Sequence, residues 1–341
     1  MSNGSDNGGV SEVLVRRDVA SLGPAAISRL RRAFQVLRER SARDEDDPVG
    51  LLGQANIHRD SCSHATWWFL PWHRAYLYYF EQVLRDAAGD PTLTLPYWDW
   101  TSAPRLPAAF WGPDNPLNDP TREITPEMAA AEAFVGQPVI EATLETADFV
   151  TFASERSTDP LIPVAYGILE GTPHNYIHRF VGGRQGNMAN PALAARDPIF
   201  WLHHANVDRL WTAWAAAHAG RTPTDPSWLG QPFTFVDAQG RPVAITTAET
   251  LDTDRLNYRY DTPPVPAARP EGVSAVTEQA PSEAAPPPGP RLRVEASPAR
   301  PVISRQPLTL TLRPDDPMRE RVSLAAAAAS ESQGETLRLE V

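Results

Sequence analysis

Lysine is missing from this chain. All 31 basic residues among its 341 are arginine, set against 42 Asp and Glu, for a net charge of −11. No basic run forms, which argues against a surface built to grip nucleic acid or an anionic membrane. No apolar run approaches the ~20 residues of a membrane-spanning helix. Met1 to Val10 is mostly Gly, Asn, Ser and Asp and lacks the apolar core of a secretory signal. The lone cysteine, Cys62, rules out a disulfide within the chain and makes a reducing cytosol the default compartment. A cytoplasmic protein is therefore expected, binding neither nucleic acid nor membrane.

Proline, by contrast, is abundant: 35 residues, about twice the usual ~5% share. Eleven fall within 263–301, among Ala, Glu, Ser and Arg, a composition that predicts an extended connector rather than a packed unit. Beyond it, 302–312 and 336–341 alternate apolar and polar residues, as strands do. All ten tryptophans and all eight histidines lie between His58 and Trp228, so core and chemistry are expected in the first part of the chain. There, Pro24 to Arg40 has Ile27, Leu30, Phe34 and Leu37 on one helical face. Stretches 72–84 and 199–216 read as buried helices, and a hairpin turn is expected near Gly240. Domains are placed at 1–262, with a small segment at about 225–261, then a linker at 263–301 and a partial β-rich segment at 302–341.

Imidazole is the commonest metal ligand and suits Zn, Cu, Fe and Ni. His174 and His178 are four apart, about 40° from each other around a helix, so both can reach one ion. Thr172 followed by Pro173 reads as the start of that helix. In DPIFWLHHANVDRLW, Asp197 can cap a helix bearing His203 and His204. Adjacent residues point about 100° apart, so one of the two faces a given site, and periodicity alone does not choose. Upstream, His64 and His73 can share an ion only if the chain breaks between them, which Pro71 provides by opening a new helix. His58 would come from the helix before. His218, near Gly220, reads as solvated.

The segments CSHATWWFLPWHRAYLYYFE, LPYWDW, PHNYIH and DPIFWLHHANVDRLW together resemble the copper-binding signatures of the tyrosinase and polyphenol oxidase family. The stretch DPSWLGQPFTFVDAQGRPV is similar to the small Asp-x-x-Trp-Leu segment of plant-type members. The resemblance covers about residues 45–260. It implies a mainly α fold, a four-helix-bundle core with a few peripheral strands, holding two copper ions with O2 as co-substrate. One copper would be held by His58, His64 and His73, the other by His174, His178 and His204, with His203 in a supporting role. Cys62-Ser63-His64 resembles the arrangement in which some members join cysteine and histidine by a thioether.

The implied activity is ortho-hydroxylation of monophenols and oxidation of o-diphenols to o-quinones. Glu170 and Asn175 resemble the pair that holds a water near the phenol, and Arg179 would line the pocket mouth. Many plant-type members place an aromatic residue near the second copper where this chain has Pro191, Ala192 and Leu193, which implies an open entrance and monophenol access. Partners implied are small phenols and catechols, with a copper chaperone or a weak homo-oligomer as further associations. The rivals are a catechol oxidase or o-aminophenol oxidase without hydroxylation, an oxygen carrier on the same centre, and a zinc hydrolase. The last lacks H-E-x-x-H.

Overall fold

The computed structural model describes residues 13–262. Helix α1 (Pro24–Arg43) opens on a proline, where a missing N–H has no partner to lose, and buries Ile27, Leu30, Phe34 and Leu37. Helix α2 (Leu51–Ser61) follows. Helix α3 (Phe69–Ala88) ends on Gly89, whose φ of 61° turns its N–H back onto the carbonyls of Arg85 and Asp86. Helix α4 spans Asn175–Gly182 and helix α5 Pro198–Ala217. Asp197 caps α5, accepting the Ile199 N–H at 3.0 Å, and also takes a buried ion pair from Arg122. Sixteen of the twenty residues of α5 are buried, which makes it the inner helix of the bundle. Phe80 of α3 stacks on Trp201 of α5 at 3.4 Å between ring centres, and α1 closes the far side with Phe34 against Phe80 at 5.9 Å.

The strands are peripheral. Strand β1 is Leu14–Arg16; β2 (Pro232–Val236) and β3 (Pro242–Thr246) form an antiparallel hairpin; β4 (Tyr258–Tyr260) pairs in parallel with β1. The hairpin turns at Gly240, whose φ is 76°. The β1–β4 pair is fastened to the bundle by buried charge. Asp208 of α5 accepts from Arg74 of α3 at 2.6 Å, from Arg16 of β1 at 3.3 Å, and from the hydroxyls of Tyr258 and Tyr260 at 2.6 Å each. Glu81 of α3 accepts from the other edge of the Arg16 guanidinium at 3.2 and 3.3 Å.

Two helix starts differ from the sequence reading. Pro71 is the third residue of α3, which begins at Phe69, so His73 lies two residues deeper in the helix than expected. Pro173 does not begin the helix that carries His174. Helical backbone already runs from Ile168, and a widened π-type turn at Glu170–His174 contains the proline. The Asn175 N–H reaches the Glu170 carbonyl, five residues back. Proline has no N–H to give, and its ring crowds the carbonyl four residues earlier, so a wider turn accommodates it. The expected connector at 263–301 and β-rich segment at 302–341 lie outside the described residues.

Candidate metal centre

His58 projects from α2, His64 from the loop that follows and His73 from α3; ligand atoms of all three lie within 4.8 Å of one another. His174, in the widened turn, His178 of α4, and His203 and His204 of α5 form a second group under the same limit. The groups interleave. His73 stacks on His204 with ring centres 4.3 Å apart and 6° between planes, and His64 lies 5.8 Å from His174. Phe69 sits 4.8 Å from both His73 and His174, while Phe200 lies 4.8 Å from His58 and 4.3 Å from His204. These two rings wall the space between the trios.

The rings are neutral. Burial, then neighbouring imidazoles, lowers His58, His73, His174 and His204 well below the usual histidine range, and takes His64 to about 3. Burial takes His178 to about 4, against the pull of its bond to the Met188 carbonyl. In most of them Nδ1–H is committed to an acceptor: His58 to the Pro191 carbonyl at 2.8 Å, His73 to Phe69 at 2.8 Å, His178 to Met188 at 2.8 Å, and His174 to Asn175 Oδ1 at 2.9 Å. That leaves Nε2 with a lone pair. The Nε2 atoms of His58, His73, His174 and His203 are buried with no hydrogen-bond partner, as is His204 Nδ1.

Unpartnered buried nitrogens converging on one point are what a metal would satisfy. The His178 and His204 Nε2 atoms are 3.3 Å apart. That is the spacing of two nitrogens held at about 2.0–2.1 Å from one ion at a tetrahedral angle, by the distances known for zinc. The all-imidazole donor set fits copper.

Glu170 is fully buried. Both its oxygens accept the Ala65 N–H, at 2.9 and 3.0 Å, and one accepts the Ser154 hydroxyl. Burial pushes its carboxyl up to about 8, against these hydrogen bonds. The carboxyl thus clamps the loop next to His64. Arg179 is exposed beyond His178. Cys62 Sγ lies 3.2 Å from His64 Nδ1, and burial pushes its thiol up to about 12. Pro191 is exposed, with Ala192 and Leu193 half-buried. His218 lies apart from both groups, its Nε2 2.7 Å from the Leu144 carbonyl.

Sequence reasoning missed four participants. Ser154, which bonds Glu170, and Trp100, which bonds His203, carry no motif that names their partners. The carbonyls of Met188 and Pro191 belong to backbone, which side-chain patterns do not reveal. One loop, 187–193, thereby orients a ring from each trio.

Comparison with known proteins bears on this centre. Residues 35–137 and 107–217 match the common central domain of tyrosinase, and 222–271 match the polyphenol oxidase middle domain. The (+)-larreatricin hydroxylase of Larrea tridentata is 30% identical, covering 88% of this chain and 56% of its own length. Tyrosinase HcTyr1 of Hahella sp. (strain CCB-MM4) is 35% identical over 60% of this chain and 48% of its own. A crystal structure of Grenache (Vitis vinifera) polyphenol oxidase superposes with a TM-score of 0.67 at 26% identity, covering 75% of this chain and 86% of that one.

The chain spans about half the length of the curated relatives it matches. The expected cytoplasmic location does not stand. The polyphenol oxidases of tomato, grapevine and apple that it resembles are named as chloroplastic, so membership of this group gives no cytosolic default. A chain matching half of its relatives carries no information on leader segments in its first ten residues.

Proposed function

Because the chain belongs to the tyrosinase and polyphenol oxidase family of dinuclear copper proteins, we propose that it oxidises phenols with O2, hydroxylating monophenols at the ortho position and converting o-diphenols to o-quinones. The observation that carries this reading is the pair of interleaved imidazole groups, whose unpartnered Nε2 atoms converge from both sides. His58, His64 and His73 would hold one copper, and His174, His178 and His204 the other. The bound pair supplies O2 activation and the electron transfer; the protein supplies everything else.

The carbonyls of Pro191, Phe69 and Met188 orient their rings before any metal arrives, so little reorganisation is needed on binding. Phe69 and Phe200 exclude water between the trios. His64 and His178 are the half-exposed ligands, so a phenol would approach over them. The phenolic proton, bound with a pKa of roughly 10 in water, must leave for hydroxylation to proceed. Asn175, next to His174, would hold a water beside the phenol, and Glu170 in its carboxylate form would draw the proton through that water. Arg179 would attract acidic phenols at the mouth. The absence of an aromatic residue at Pro191, Ala192 and Leu193 supports access for monophenols, as do relatives named hydroxylase and tyrosinase.

The 3.2 Å approach of Cys62 Sγ to the His64 ring supports a thioether. Its formation joins Sγ to a ring carbon, removes one hydrogen from the thiol and one from that carbon, and passes both with two electrons to O2, giving H2O2; it would fix a ligand that stands on a loop.

The test is a copper count followed by oxygen consumption with catechol and with tyramine. Both coppers and turnover of both substrates are expected. Catechol turnover alone would reduce the chain to a catechol oxidase, and an o-aminophenol added to the panel identifies that variant. Reversible O2 binding with no turnover would make it a carrier and reject the reading.

A further inference from the structure

Periodicity along α5 leaves His203 and His204 equally eligible as ligands, and both have a nitrogen within 4.8 Å of those of His174 and His178. Hydrogen bonding separates them. The Trp100 indole N–H donates to His203 Nδ1 at 3.2 Å, and both side chains are fully buried. An indole nitrogen can only donate, so His203 Nδ1 keeps its lone pair and the proton of the neutral ring sits on Nε2, although that atom is buried without an acceptor. To coordinate through Nε2, the ring would have to move that proton to Nδ1 and set it against the indole N–H, donor facing donor.

His58, His73, His174 and His178 show the reverse arrangement, with Nδ1–H given to an oxygen and Nε2 open. His204 fits neither pattern. Its Nδ1 is buried without a partner, its Nε2 lies 3.3 Å from that of His178, and its ring is held by stacking on His73 and by Phe200. No donor faces His204 Nδ1, so its proton can move there and free Nε2 for a metal, which the indole forbids at His203. A neighbour one residue away, able to reach the same ion, has to be kept from competing by some other contact.

We propose that Trp100 is a positioning residue of the dinuclear centre: its indole N–H holds His203 in the Nε2–H form, withholds that imidazole from the metal, and reserves the third place of the second trio for His204. The tryptophan lies in the LPYWDW segment, far from any ligand in sequence, and acts on the centre through His203. The proposal rests on the reading of these trios as a copper site, yet the tautomer itself is a property of the metal-free protein.

That property can be measured on the unmodified chain. Two-bond proton–nitrogen correlation spectra of metal-free protein labelled with 15N-histidine, with His203 assigned through its loss in H203Q, are expected to show His203 as Nε2–H and His58, His73 and His178 as Nδ1–H. An Nδ1–H His203 overturns the proposal. In W100F the Nε2–H preference of His203 disappears; its persistence also overturns it. Copper counts give a second readout: H203Q keeps both coppers and H204Q loses one, and the opposite outcome refutes the assignment. Should the unmodified protein itself fail to take up two coppers, the dicopper reading falls, while the spectra still decide whether Trp100 sets the tautomer.

Discussion

Replacing Asp208 by Asn tests how the bundle is held in the shape that brings His204 against His73. The carboxylate is buried, at 3% exposure, and takes four donors: Arg74, Arg16, Tyr258 and Tyr260. Breaking one side of a buried ion pair typically costs about 3–5 kcal/mol, because the abandoned charge stays out of water. Arg16 keeps Glu81 as a counter-charge, at 3.2 Å. Arg74 keeps only neutral partners, the Thr250 carbonyl at 3.2 Å, the Thr212 hydroxyl at 3.1 Å and the Trp211 ring. One guanidinium rather than two is orphaned, so the lower end of the range applies, about 3 kcal/mol. At roughly 2–4 °C per kcal/mol for a body of this size, Tm should fall by about 6–12 °C.

The pH dependence fixes the cause. Burial alone would raise the Asp208 carboxyl, but Arg74 and Arg16 outweigh it and hold the group below the usual carboxylate range. A depressed folded-state pKa contributes stability above the unfolded value of about 3.9 and loses it as pH falls through the folded value. The gap between the parent protein and D208N should therefore be full near pH 7 and shrink below about pH 4. Thermal unfolding of the metal-free protein, followed by circular dichroism across that range, gives both numbers. A Tm within about 2 °C of the parent near pH 7, or a gap that persists undiminished into acid, would refute the reasoning.

Three further outcomes follow. A Cβ added at Gly182 would lie 2.1 Å from the Ala189 nitrogen and 2.8 Å from the Met188 carbonyl carbon, so G182A should push the loop away from His178 and weaken uptake of the second copper more than the first, as read by competitive copper titration. Copper-loaded protein exposed to O2 should be lighter by two hydrogens in its intact mass, located to the Cys62–His64 peptide, whereas C62S should show no change. Stripping copper with a chelator should lower Tm by about 5–11 °C if the free metal had stood near 100-fold above its Kd, which corresponds to about 2.7 kcal/mol of linkage; a Tm indifferent to chelation would argue against a metal bound to the folded state.

Much of the helical scaffold was legible because its signals are local. Asp197 and Pro198 announce α5, Pro24 announces α1, and the apolar faces between them state which side goes in. The need for a chain break between His64 and His73 was likewise plain from angular spacing. What stayed hidden depends on contacts between distant segments. Thr172-Pro173 carries an ordinary helix-start signal, but Glu170 is pinned from outside by Ala65 and Ser154, and the backbone widens around the proline instead of starting there. The choice between His203 and His204 is not written in their spacing either. It is written in an indole about a hundred residues upstream, which no periodicity could have pointed to.

The loop that lends Met188 to one trio and Pro191 to the other is a short strap buckled at two points. An ion that draws His178 into place pulls on the same strap that steadies His58. Filling either half should therefore ready its counterpart, and a protein caught holding a single copper should be a scarce species throughout a titration.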